Sequence, residues 1–221
     1  MHRMIRTEDG SSTLYVPELD EHYHSIHGAV REARHIFLEA GMDAQLAECT
    51  EGKLRIVEAG FGTGLNAWMT LLHAVEKGVS VEYHTVEKYP LGSEEAAGMK
   101  YAAEAGERER KWFEELHACP WGEATEVAPG FIVRKVLGDF REAELPEEAD
   151  IVYYDAFSPE VQPHLWTEEV LGRFYEALRP GGMLVTYCVK GTVKRALRAL
   201  GFRIERLPGP PGKREMLRAT K

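Results

Sequence analysis

Apolar and polar positions follow two rhythms along this chain. Residues 53–57 (Lys-Leu-Arg-Ile-Val) alternate and are rich in β-branched groups, the period of a strand. Leu65, Trp68, Met69, Leu72 and Val75 recur at steps of three and four, the period of a helix. The same rhythms predict further helices over residues 30–40, 93–103, 107–116, 168–178 and 190–200, the first ending near Gly41. Thr167 reads as a helix cap, with Glu168 and Glu169 in the first turn. Strands are predicted over residues 81–87, 121–129, 131–137, 150–155, 183–188, 202–207 and 214–219, and a turn with a short strand over residues 9–17. Strands alternating with helices imply an α/β, doubly wound, mostly parallel sheet with helices on both faces, closed by a C-terminal hairpin. The organisation expected is an N-terminal section over residues 1–52 and a core over residues 53–221, together one compact domain.

Composition narrows the class. Hydrophobic residues make up 44% and charged residues 29% of 221, an ordinary enzyme composition. No apolar run approaches the ~18 residues of a membrane span, and the N-terminus lacks a signal-peptide pattern. Cys49, Cys119 and Cys188 form no Cys-x-x-Cys, which predicts free thiols and a cytoplasmic location. The net charge of −9 hides an asymmetry: residues 190–221 hold ten Lys or Arg against Glu205 and Glu215. That is one basic stretch on an acidic body, either a solvated surface or a face for a polyanion.

The chemistry centres on residues 58–66, Glu-Ala-Gly-Phe-Gly-Thr-Gly-Leu-Asn, a glycine-rich turn between strand and helix. Such a turn lets a ligand lie against main chain at a helix N-terminus. Its spacing is GxGxG, one residue short of the dinucleotide fingerprint. Glu87 ends the next strand, where a carboxylate meets ribose hydroxyls. Glu58 before the turn gives the form typical of S-adenosylmethionine-dependent methyltransferases. The candidate cofactor contacts are therefore Glu58, Gly60, Phe61, Gly62, Thr63, Gly64, Asn66, Glu87 and its neighbour Lys88. Gly138 and Asp139 follow a third strand, as a contact to the adenine amino group or as an ordinary strand-end turn. Asp155 stands at the carboxyl end of a fourth, where open parallel sheets bind ligands. His22, His24 and His27 match no standard metal spacing, so no metal is expected; they read as a polar pocket wall or a surface loop.

Several motifs occur together. They are His27-Gly-Ala29 with Glu32, the glycine turn, residues 86–91 (Val-Glu-Lys-Tyr-Pro-Leu), Asp155-Ala-Phe-Ser-Pro159 with Pro163 and Leu165-Trp-Thr167, and Gly212-Lys-Arg-Glu-Met216. In this combination the chain resembles the methyltransferases of bacterial tRNA wobble-uridine modification, from about residue 10 onward. The resemblance implies a Rossmann-like class I fold with a seven-stranded sheet and S-adenosyl-L-methionine as cofactor. It implies N-methylation of 5-aminomethyl-2-thiouridine in a tRNA anticodon stem-loop. A fused oxidase half, known from the bifunctional members, has no room here, so a separate enzyme must supply the aminomethyl group. Asp155 is then the candidate base and a cofactor contact, and Phe157, Pro159 and Trp166 candidate walls for the extruded base. Lys190, Lys194, Arg195, Arg198, Lys213 and Arg214 are candidates for RNA phosphates. Glu215 joins the site only through the resemblance, and alternatively forms a structural ion pair with a basic neighbour. Two other readings stand beside this one: a small-molecule methyltransferase or aminopropyltransferase on the same fold, and a domain that binds without catalysis.

Overall fold

The computed structural model describes residues 2–48, 52–101 and 105–221. Its centre is an eight-stranded sheet. In chain order the strands are β4 (Lys53–Ala59), β5 (Ser80–Glu87), β6 (Ala124–Ala128), β7 (Phe131–Leu137), β8 (Ala149–Tyr154), β9 (Leu178–Thr186), β10 (Arg203–Pro208) and β11 (Glu215–Thr220). They lie in the order β10-β11-β9-β8-β4-β5-β7-β6. The five from β9 to β7 run parallel, while β11, β10 and β6 are antiparallel to their neighbours. The eighth strand is β6, the outer arm of the hairpin that turns at Pro129-Gly130.

Both faces of the sheet are covered, and the sequence shows why. All six residues of β8 are buried, and neighbours face opposite ways. Ile151 and Tyr153 join one core cluster with Leu54, Ile56, Tyr83 and Val185. Val152 and Tyr154 join the other with Val57, Leu184 and Phe174. A strand buried on both faces needs helices on each side. On the first face lie α3 (Leu65–Lys77) and α5 (Glu107–Ala118), and on the second α6 (Glu168–Ala177) and α7 (Gly191–Ala199). The Thr167 hydroxyl caps α6 by accepting from the Val170 N–H at 3.3 Å.

The N-terminal section adds a small antiparallel sheet of β1 (Arg3–Arg6), β2 (Ser12–Val16) and β3 (Glu21–His22). A long helix follows. It begins as α1 (Ala29–Ala33), passes through a π-helical stretch (Arg34–Asp43) and ends as α2 (Ala44–Glu48). The expected stop at Gly41 is wrong. A Cβ there would stand 3.2 Å from Val185 and 3.4 Å from Tyr153, so the glycine lets the helix press onto the sheet.

Two other boundaries shift for tertiary reasons. The helix expected over residues 93–103 is α4 (Ser93–Gly98) only. Beyond it the backbone extends, because Met99 and Tyr101 both turn into the core and the Lys100 N–H bonds to Ser12 Oγ at 2.8 Å. Ala103 and Cys49 lie outside the described residues. The Arg-Pro-Gly-Gly run after α6 is not a turn before the fifth strand but part of β9, bulged between Leu178 and Met183. Arg179 pins the bulge to Asp150 at 2.6 Å. Cys119 and Cys188 are buried free thiols. Among the described residues no helix is long and apolar enough to cross a membrane.

Candidate active site

At the carboxyl ends of β4, β5 and β8 lies a cavity of about 530 Å3, well within the usual range for a small-molecule site. Its floor is the glycine turn. Gly60, Gly62 and Gly64 all have positive φ (93°, 50° and 73°), a backbone region that costs other residues energy. At Gly64 a Cβ would also lie 2.7 Å from His117 Nε2. Glu87 secures the turn: one carboxylate oxygen accepts the Gly62 N–H at 2.9 Å and the other the Tyr89 N–H at 2.7 Å. Gly60, Phe61, Gly62, Thr63, Asn66, Glu87 and Lys88 line the cavity.

Glu58 and Gly64 lie beneath that surface. Glu58 is 1% exposed, and burial pushes its carboxyl well above the usual range. Its Oε2 has no hydrogen-bond partner, nor has the buried Asn66 Oδ1. The Thr85, Asn66 and Tyr83 side chains act on the Glu58 carboxyl from within the protein, so it supports the turn from below. Asp139 lines the cavity, but its carboxylate is already engaged. Arg141 Nε reaches it at 2.9 Å and Lys88 Nζ at 3.0 Å, and the Arg141 guanidinium holds it well below the usual range. Gly138 is not among the cavity-lining residues. It donates its N–H to Glu87 O at 2.9 Å, which ties the ends of β7 and β5 side by side.

The other half of the cavity is assembled from distant stretches. Asp155 follows β8, and its Oδ2 accepts from Asn66 Nδ2 at 2.9 Å. Burial, with the Glu32 carboxylate nearby, pushes Asp155 up to about 7, against the opposing pull of Asn66 and Lys213. Glu32, in the first turn of α1, is buried and lines the cavity. Its Oε2 accepts the Ser25 N–H at 2.9 Å, and its Oε1 pairs with Lys213 Nζ. Lys213 Nζ also stands 4.2 Å from the centre of the Tyr187 ring. The Tyr187 hydroxyl donates to Ala156 O at 2.8 Å.

The N-terminal section closes over this half. His24 Nε2 lies 2.7 Å from Thr63 Oγ1, which also accepts from the Tyr101 hydroxyl at 3.1 Å. Burial brings His24 down to about 4, so it is neutral at pH 7. The Tyr23 ring meets Phe157 edge-on at 5.1 Å, and Ser158 Oγ donates to Glu21 at 2.7 Å. Of the three histidines, His22 and His24 line the cavity, His22 also packing on Tyr15, while His27 pairs with Glu8 at the surface. Among the described residues no cluster of three His, Cys, Asp or Glu is arranged to hold a metal.

Several expected substrate contacts lie elsewhere. Phe157 and Lys213 line the cavity, whereas Pro159, Trp166, Lys190, Arg214 and Glu215 do not. Trp166 is 5% exposed and packs on Tyr154, with its Nε1 donating to Phe157 O at 2.8 Å. It supports the wall from behind because its ring completes the core over β8. Lys190 pairs with Glu160, and Glu215 lies 3.4 Å from Arg206 across the hairpin. Arg214 is exposed on the hairpin turn. Missed by the sequence reading were Tyr187, just past the end of β9 in a stretch expected to be strand, and Gln162 and His164, which line the cavity from a loop with no periodic signal.

Comparison with known proteins agrees with this geometry. Residues 108–221 match a family model described as S-adenosyl-L-methionine-dependent methyltransferase. The chain is 33% identical over 215 residues to the tRNA 5-methylaminomethyl-2-thiouridine biosynthesis bifunctional protein MnmC of Pseudomonas aeruginosa (strain PAO1). That match covers 90% of this chain and 32% of the relative, so the chain spans about a third of the relative's length. The crystal structure of MnmC2 from Aquifex aeolicus superposes with a TM-score of 0.81 at 29% identity, covering 100% of this chain and 70% of that one. Spermidine synthase from Thermotoga maritima shares the fold, with a TM-score of 0.57 at 16% identity over 100% of this chain and 71% of its own.

Proposed function

Because the chain belongs to the S-adenosyl-L-methionine-dependent methyltransferase family, we propose that it N-methylates the 5-aminomethyl group of 5-aminomethyl-2-thiouridine at the tRNA wobble position, giving 5-methylaminomethyl-2-thiouridine. The observation that carries this reading is Asp155: a carboxylate with a pKa near 7 at the junction of a glycine-turn cofactor site and a cavity half built for a second ligand. The likeness to the Pseudomonas aeruginosa protein supports the choice of tRNA and of the modified uridine.

The cofactor, when bound, supplies a methyl group on a sulfonium that needs no further activation. Glu87 would hold the ribose hydroxyls of the cofactor and Asn66 its amino-acid end, with Glu58 supporting the turn from below. Phe157 and Tyr187 form the aromatic part of the wall that the extruded base meets. The substrate amine is an ammonium ion in neutral water, and its nitrogen has no lone pair until a proton leaves. Asp155 takes that proton; a carboxyl that titrates near the working pH suits the task. The nitrogen lone pair then forms the new N–C bond as the S–C bond breaks. Alignment within the cavity contributes the larger part of the rate.

The RNA follows the basic side of the molecule. Helix α7 begins beside Tyr187, and Lys190, Arg195 and Arg198 are exposed along it, with Arg214 on the neighbouring hairpin turn. These cations contact anticodon-stem phosphates. The free thiols Cys119 and Cys188 and an RNA substrate support a cytoplasmic location. The test is methyl transfer from labelled S-adenosylmethionine to bulk tRNA from cells lacking this enzyme, followed by nucleoside analysis. Label in 5-methylaminomethyl-2-thiouridine is expected. Unlabelled tRNA despite tight cofactor binding would reject the reading in favour of a small-molecule acceptor, with polyamines tried first.

A further inference from the structure

We propose that Glu32 and Lys213 are positioning residues: the ion pair they form in the cavity wall holds Asp155 in the state that takes up the substrate's proton. The inference rests on the proposed amine methylation. Its basis is the placement of the pair. Glu32 comes from α1 and Lys213 from the turn between β10 and β11, 181 residues later. Both line the same cavity as Asp155. Glu32 is 8% exposed, and Lys213 is the cation paired with it among the described residues. Burying the Glu32 carboxylate costs it its hydration, a cost that a pair serving only to staple two surfaces would not need to meet.

The turn that carries Lys213 is held in place independently of the pair. His35 Nε2 lies 2.8 Å from Pro208 O, and a Cβ on Gly212 would stand 2.4 Å from the His27 ring. The lysine stem rests beside Tyr187, with its ammonium over the ring. The backbone contacts thus help to hold the ammonium at the cavity.

Asp155 is faced from every side. Asn66 of α3 donates to it, and Glu58 of β4, Tyr83 of β5 and Tyr187 after β9 are coupled to it, with Glu32 from α1 and Lys213 from the hairpin turn. Within this set Glu32 and Lys213 act on Asp155 with opposite signs. Substituting one member therefore tips the balance one way, and substituting the other tips it back. An approaching ammonium group meets Asp155 and Glu32 together, and Lys213 keeps that acidic pair from holding it too firmly to deprotonate.

The test is the pH dependence of kcat with aminomethyl-bearing tRNA and saturating cofactor. Wild type, Glu32→Gln, Lys213→Met and the double variant are compared. Glutamine keeps an acceptor for the Ser25 N–H, and methionine keeps the stem on Tyr187. Lys213→Met is expected to move the rising limb of the profile up by about one pH unit, and Glu32→Gln to move it down by about as much. The double variant is expected to fall between them, near wild type. Profiles that coincide, that shift in the same direction, or that drop equally at every pH would overturn the inference. The 13C chemical shift of the Asp155 carboxyl, assigned with Asp155→Asn, reads the same two shifts without substrate. A wild-type enzyme silent on tRNA would therefore reject the proposed reaction, while the titration still decides whether the pair acts on Asp155.

Discussion

The two halves of the cavity are built differently. The half holding the glycine turn comes from one β-α-β unit, β4-α3-β5, with Glu87 bonding back onto Gly62 only 25 residues away. The half around Asp155 draws on residues near 24, 32, 157, 187 and 213, each from a separate element. The first half depends on backbone conformation, which glycine positions dictate locally. The second depends on side chains meeting across the fold. A cofactor common to many enzymes suits a self-contained unit, and an acceptor particular to one enzyme suits parts that vary independently.

This contrast predicts separable effects. The largest falls on Asp155. Asp155→Asn is expected to lower kcat about 1,000-fold, the usual range for a general base, while cofactor affinity by calorimetry stays within about threefold of wild type. Loss of both together would merge the two halves. The same variant gives a stability test. A folded-state pKa raised above the unfolded value means the native state holds its proton more firmly. That contribution is fully present below about pH 4 and is lost as pH rises through about 7. At pH 8 the variant should therefore be more stable than wild type by about 2 kcal/mol in denaturant titrations, with the gap closing at acid pH.

Next comes Glu87→Gln. It is expected to weaken cofactor binding about 30-fold, the scale of a charge-assisted hydrogen bond, and to leave kcat at saturation nearly unchanged. A fall in kcat alone would remove Glu87 from the cofactor half. Smaller still is the effect of His24, which bonds the N-terminal section to the turn. Its pKa is depressed to about 4, so its stabilising contribution is present above about 6.5 and is lost as pH falls through 4. His117, also brought down to about 4 by burial, adds to the same acid slope. Against wild type, His24→Gln should remove one proton's contribution to that slope, read as the difference in Tm between the two proteins from pH 6.5 to 4. The smallest effect is expected from Arg195→Gln with Arg198→Gln, which should reduce the salt dependence of tRNA binding by about two ions and leave cofactor affinity untouched.

Much of the first half was legible in the sequence, because a strand, three glycines and a helix leave a local pattern. The parallel sheet was legible too: β8 is apolar at consecutive positions, which only a strand covered on both faces tolerates. What could not be read was where side chains end. Trp166 in a polar loop resembles a base-stacking residue, yet its ring fills the core beside Tyr154. Gly41 resembles a helix stop, yet it is the point where the helix touches Val185 and Tyr153. Glu32 carried no signal beyond its place in a family motif, since the Lys213 that gives it meaning is brought near only by the finished sheet. Asp139 was placed at the strand end correctly, but nothing local revealed that Arg141 and Lys88 would occupy its carboxylate.

The distance between Glu32 and Lys213 also bears on synthesis. Ribosomes release α1 long before the β10–β11 turn, and that hairpin joins the sheet through β11, which pairs with β9. Contacts of such long range form late and slowly. A nascent chain can therefore complete its glycine turn while its acceptor half is still missing a wall. The acceptor half is therefore the last part of the cavity to take shape, once the β10–β11 hairpin has docked on β9.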